Sequence, residues 1–235
     1  MAADDLPGPV VTFLNVIGID WPYLNEDAIR HFASMTREFG QAVQQTHDDA
    51  TQAISNIAQV YQGASTERMQ SGWSKLSAQH VTEIVDGTGI LADALEVGAD
   101  FVVAQKVEAA IELGVMAATF VADQAAAVAT FGIAEAAVPA IIAAGKALIE
   151  TLKQQIIQYI VGQIIEAAAK PLFAKVESAL SGLDWSQSGA DGGSSSGFSL
   201  DTETAKAHIA VLRGHAETMK GHAQTLRTNL SGLSF

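Results

Sequence analysis

An apolar stripe on an otherwise polar helix constrains this chain more than any other feature. From Ile29 the apolar positions are Phe32, Phe39, Val43, Ala50, Ile54, Ile57 and Tyr61. Steps of three, four or seven put them on one helical face. Asn25-Glu26-Asp27 supplies a helix start, with acids in the first turn. The periodicity stops at Tyr61-Gln62-Gly63, an aromatic-x-Gly turn, and resumes at Met69, Trp73 and Leu76. The spacing predicts a helical hairpin with an aromatic at its bend. Gly63 permits a backbone geometry there that other residues resist. Tyr61 is expected to pack in the hairpin core, so Tyr61→Ala should cost about 3–5 kcal/mol in a thermal melt.

Around this hairpin the chain reads as further helices. Residues 1–25 read as a lead-in, because Pro7, Pro9, Gly18 and Pro22 interrupt periodicity. Gly87 and Gly89 predict a break, followed by a helix from Ile90 to about Phe131. Gly132 to Pro139 reads as a turn, and Pro139 suits the first turn of a helix that runs to about Ala169. Pro171 then marks a bend or stop. Along the first of these helices Ile111, Val115, Ala118 and Ala122 form one apolar face, with Leu113 and Phe120 off it. A helix apolar over more than half its circumference is central in a bundle or touches a second partner.

The C-terminal part is separate in character. Trp185 ends a bundle assigned to residues 26–185, and residues 186–199 form a Gly/Ser-rich linker whose composition builds no core. In residues 200–235, Ala205, Ile209, Leu212, Ala216, Met219, Ala223, Leu226, Leu230 and Leu233 alternate steps of four and three. A period of about 3.5 residues specifies a coiled-coil seam. His208, His215 and His222 recur every seven residues, one position before a seam residue. Neighbours in that series lie about 10 Å apart along the axis, so one helix cannot bring two of them to one metal. They are expected at the solvated edge of the seam, where protonation would make pairing depend on pH.

Composition supports an all-α fold and excludes several functions. Apolar residues make up 49% of the chain but aromatics only 6%. Such an Ala-rich, aromatic-poor balance favours packed helices over sheets. A net charge of −13 argues against nucleic acid and against electrostatic docking on anionic lipid. The lack of cysteine excludes disulfides, thiolate metal sites and a cysteine nucleophile. Met1 to Leu14 contains Asp4 and Asp5 and no basic residue, unlike a secretory signal peptide. No stretch reaches the roughly 18 uncharged apolar residues of a spanning helix. The closest, Leu113 to Gly145, is interrupted by Asp123 and Glu135.

The helical hairpin with its aromatic-x-Gly bend resembles the Trp-x-Gly (WXG) substrates of type VII secretion. The closer likeness is to the longer WXG-like domain at the head of actinobacterial toxins, channel toxins among them, over roughly residues 20–175. Residues 200–235 resemble the first half of a second such hairpin, which either ends as an unpaired helix or continues in a longer protein. Tyr61 stands where the family has Trp, and Phe32, Phe39, Ile57 and Trp73 fill the apolar positions around the turn. The expected fold is an elongated all-α bundle containing this hairpin, plus a tethered C-terminal coiled-coil helix. The resemblance implies a non-enzymatic secretion target that leaves the cytoplasm for the medium or cell surface without a signal peptide. It would act by pairing helices with a small WXG-type partner or a second copy, and with the secretion machinery. The pairing seam would be Ile209, Leu212, Met219, Leu226, Leu230 and Leu233. Export signals in the family resemble an aromatic, three residues, then an acid. Phe173 and Glu177 match that pattern after the hairpin, and Tyr23 and Asp27 match it before. Alternative readings are a membrane-active helical pore former and a cytosolic scaffold or chaperone for a toxin.

No motif calls for a cofactor. Gly87-Thr88-Gly89-Ile90-Leu91-Ala92 has the form of a dinucleotide fingerprint, but helical periodicity precedes it where a strand is required. Gly193 to Gly197, centred on Ser195, has the spacing of a nucleophile elbow inside a linker with no preceding strand. His47-Asp48-Asp49 are adjacent, so on a helix they point apart.

Overall fold

A computed structural model describes residues 5–22, 24–60, 64–76, 81–129, 138–181 and 202–233. All regular structure among them is helical, as the periodicity requires. The elements are α1 (Gly8–Ile17), α2 (Glu26–Val60), α3 (Ala64–Leu76), α4 (Thr82–Ala129), α5 (Val138–Tyr159), a π-helical stretch (Ile160–Ala169), α6 (Lys170–Ser181) and α7 (Thr202–Ser231). The bend expected at Tyr61–Gly63, most of the turn expected at Gly132–Pro139 and the linker expected at 186–199 lie outside the described residues, as does Tyr23. The helices contribute to two compact units. The first comprises 1–31, 94–165 and 234–235, and the second comprises 32–93 and 166–233.

In the first unit the expected lead-in carries a helix. Pro7 and Pro9 occupy the cap and first turn of α1, where a missing N–H costs nothing. Gly18, at φ +69°, ends the helix in the left-handed conformation. Its N–H donates to Asn15 O (3.3 Å), and that of Ile19 donates to Leu14 O (3.2 Å). The prolines and glycine that interrupt periodicity are therefore the boundaries of a helix. Val10, Phe13, Leu14 and Ile17 form its buried face. That face packs on α5 at Gly145, where an added Cβ would lie 3.0 Å from the Phe13 ring. Phe13 also tilts against Phe120 of α4, with ring centroids 5.6 Å apart.

Asn25 starts α2 as its residue type predicts. Its Oδ1 accepts from the N–H groups of Asp27 and Ala28, both at 3.1 Å. Within the first unit, Glu26 pairs with Lys106 and Arg30 pairs with Asp100, so α2 and α4 run antiparallel there. Within the second unit, Arg37 pairs with Asp93 and Gly40 abuts Thr88, which gives the same antiparallel sense.

Helix α4 differs from expectation in running unbroken through Gly87 and Gly89. An added Cβ at Gly87 would come within 2.7 Å of Leu172 Cδ1, so this glycine admits a neighbouring side chain and does not stop the helix. Thr88, Ala92, Leu95, Ala99, Val102, Lys106, Ala109, Leu113 and Ala117 form its buried line. The face of Ile111 and Val115 is opposite and exposed, each 65% accessible. Pro171 does not stop the last segment of the bundle either. It stands in the first turn of α6, where the hydrogen-bond register returns from π to α and a missing donor is least costly.

Candidate helix-pairing surface

The α2 seam is more regular than its apolar residues suggest. Ile29, Ala33, Thr36, Gly40, Val43, His47, Ala50 and Ile54 are all buried, with alternating steps of four and three. Thr36, Gly40 and His47 escaped the apolar reading because they are polar or small. The signal that finds them is the unbroken alternation itself. Thr36 and Thr46 satisfy their buried hydroxyls by donating to Phe32 O and Ala42 O, both at 2.9 Å. Gly40 is required by close approach, since a Cβ there would overlap the Thr88 hydroxyl.

Of the residues expected in the hairpin core, Phe32, Phe39 and Ile57 are half-buried on α2. Trp73 of α3 is also half-buried and stacks on His47, with centroids 5.2 Å apart and ring planes 15° apart. Its indole N–H donates to Thr51 Oγ1 at 2.9 Å. This contact joins α3 to α2, and the stack covers the His47 imidazole. Burial lowers the His47 pKa below the ordinary imidazole value, against an opposing pull from Asp48.

Lys106 is the other buried ionisable group of note, with 1% of its surface accessible. Its ammonium donates to Leu24 O (2.6 Å) and Glu26 Oε2 (3.0 Å). Burial lowers its pKa, opposed by the carboxylate of Asp5. Glu26 is also buried, so the pair is an internal fastening of α4 to the start of α2. A more open feature of the first unit is a pocket of about 360 Å³ lined by Phe101, Gln105, Gln155, Gln158, Tyr159 and Gln163. Phe101 and Tyr159 stack within it at 4.0 Å. Its lining is uncharged.

Helix α7 belongs to the second unit. Leu212, Met219, Leu226, Leu230 and Leu233 are half-buried. Ile209 is 50% exposed, and Ala216 and Ala223 are exposed. His215 and His222 are half-buried in place of those two alanines, so the helix is turned about its axis relative to the expected seam. The reason at His222 is a hydrogen bond: its Nε2 lies 3.0 Å from Thr46 Oγ1. The Thr46 hydroxyl already donates to Ala42 O, so the imidazole donates to it. His208 has no described side chain. Phe173 and Glu177 are both exposed on α6, four residues apart and hence on one face.

Among the described residues, no group of three or more His, Asp or Glu could hold a metal ion. Among the same residues, no helix is long and apolar enough to cross a membrane. The fold thus defines an all-α protein in which α2 and α4 pack antiparallel. The family model for the WXG100 like domain matches residues 3–147, more than half of the chain, and the chain belongs to that family. The family comprises helical proteins related to type VII secretion. The match takes in α1 to α4 and the start of α5, so it begins and ends earlier than the 20–175 expected from the hairpin. No curated protein and no solved structure matches the chain.

Proposed function

We propose that this chain is a type VII secretion target, or the targeting head of a toxin, that acts by pairing helices with a small WXG-type partner. The observation that carries the reading is the WXG100-like match over residues 3–147. Two surfaces support it. The half-covered seam of α7 is of the kind that takes a further helix, and so is the exposed Ile111–Val115 face of α4. The exposed pair Phe173 and Glu177 fits a composite export signal on α6. Such a protein passes from the cytoplasm to the medium or cell surface without a signal peptide.

The test is an N-terminally tagged chain, blotted in cells and culture filtrate with and without the type VII ATPase. Appearance in the filtrate that depends on the ATPase is the expected result. Retention in the cytoplasm of both strains, with the partner gene co-expressed, overturns the reading. In the same assay, Phe173→Ala with Glu177→Ala should abolish export and leave the protein level in cells unchanged.

A further inference from the structure

The seam of α7 has a second flank, and its charge is ordered. Lys206, Arg213, Lys220 and Arg227 recur at intervals of seven, so all four occupy one column along the helix. Glu203 and Glu217 are its only acids, in a chain whose net charge is −13. The basic column is exposed throughout, and the contact at 3.8 Å between Lys220 and Glu217 is a solvated one within the helix. Between this column and the half-buried line of Leu212, Met219 and Leu226 lie Ile209, Ala216 and Ala223, all exposed. One side of the coiled-coil seam faces α2 through His222, and the other presents an apolar strip edged by cations.

We propose that this open flank of α7 docks a partner protein's amphipathic helix that carries Asp or Glu along the edge of its own seam. The inference rests on the pairing reading above and names the chemistry of the partner. The small side chains of Ala216 and Ala223 let a second backbone approach closely. Flanking charges of a coiled coil select partner and orientation. They also bar α7 from pairing with another α7. In an antiparallel pair the basic column would meet its own copy, and in a parallel pair it would meet the column of His208, His215 and His222. Neither arrangement supplies a carboxylate.

The test uses the full chain and two synthetic helices of about four heptads, each with a leucine seam, one with Glu and one with Lys at every seam-flanking position. Fluorescence anisotropy at low ionic strength should show the Glu helix bound about tenfold more tightly, a preference that weakens as salt is added. Arg213→Glu with Arg227→Glu, which leaves two Lys against two Glu in the column, should abolish the preference while circular dichroism stays unchanged. Equal binding of the two helices overturns the acidic-partner proposal and leaves the pairing reading standing. A preference that survives the charge reversal overturns it as well, because the cations would then not be reading the partner. Binding of neither helix also overturns it, and the secretion assay then decides the pairing reading on its own. Sedimentation of the chain alone should give a monomer; a dimer that the double charge reversal dissolves would make the occupant a second copy and overturn the proposal.

Discussion

The seams of α2 and α7 repeat with the same alternation of four and three, and the protein treats them in opposite ways. From Ile29 to Ile54 every α2 seam residue is buried. In α7 no described side chain is. The α2 seam admits Thr36, Gly40 and His47, which suit particular neighbours: a backbone carbonyl, the Thr88 hydroxyl and the Trp73 ring. The α7 seam is Ile, Leu, Met and Ala, which suit many. The seam buried within the chain carries position-specific residues. The one left half-covered is generic at its centre and carries charges along its edge.

The sharpest way to break this comparison is at Lys106, the cation of the buried α4 line. Lys106→Ala leaves Glu26 buried without its ammonium and should cost about 3–5 kcal/mol in urea unfolding. Lys106→Met combined with Glu26→Leu should recover most of that loss, since neither partner then remains charged. A single variant that costs no more than a surface change would show that the pair is wet.

Next comes a matched pair of truncations. Ile54→Ala in the α2 seam should cost about 2–5 kcal/mol. Leu226→Ala in α7, which removes a half-buried side chain, should cost about 1 kcal/mol. Equal losses would mean that α7 is as firmly docked as α2, and the contrast between the seams would fail.

Much of this architecture was open to a reader of the sequence. Asn25 announces the start of α2, and the stripe from Ile29 foretells a long helix after it. The heptads foretell the helix of α7. What stayed hidden did so for identifiable reasons. The prolines of α1 look like breakers unless their place in a first turn is known. Gly87 looks like a break because nothing in sequence shows Leu172 beside it. The antiparallel run of α2 against α4 depends on pairs such as Arg37 with Asp93 that lie far apart in the chain. The turn of α7 about its axis is set by the hydroxyl of Thr46, which no periodicity within α7 can reveal.

Glycines offer a finer probe, because their substitution should change sign with position. Gly40→Ala forces a Cβ into the Thr88 hydroxyl and should destabilise by about 1–3 kcal/mol. Gly89→Ala, one helix over and with nothing within 4 Å of the added Cβ, should stabilise by about 0.5–1 kcal/mol through helix propensity. Adding Thr88→Ala to Gly40→Ala should remove most of the first cost, and additive losses would refute the contact.

The smallest effect expected is a pH dependence that belongs to the closed seam. Burial of His47 under Trp73 lowers its pKa in the folded protein below the value near 6.5 of the unfolded chain. Between those two values the unfolded state binds the extra proton, so stability rises with pH through that window. Acidification from pH 7 should therefore weaken the fold from about pH 6.5 downward, and the loss should level off once the folded protein also takes up the proton. His47→Gln should lower stability at pH 7, where the neutral stack is intact, and flatten the slope below pH 6.5. Trp73→Ala, which uncovers the imidazole, should flatten the same slope. If that variant leaves the slope as it was, the burial of His47 plays no special part in it.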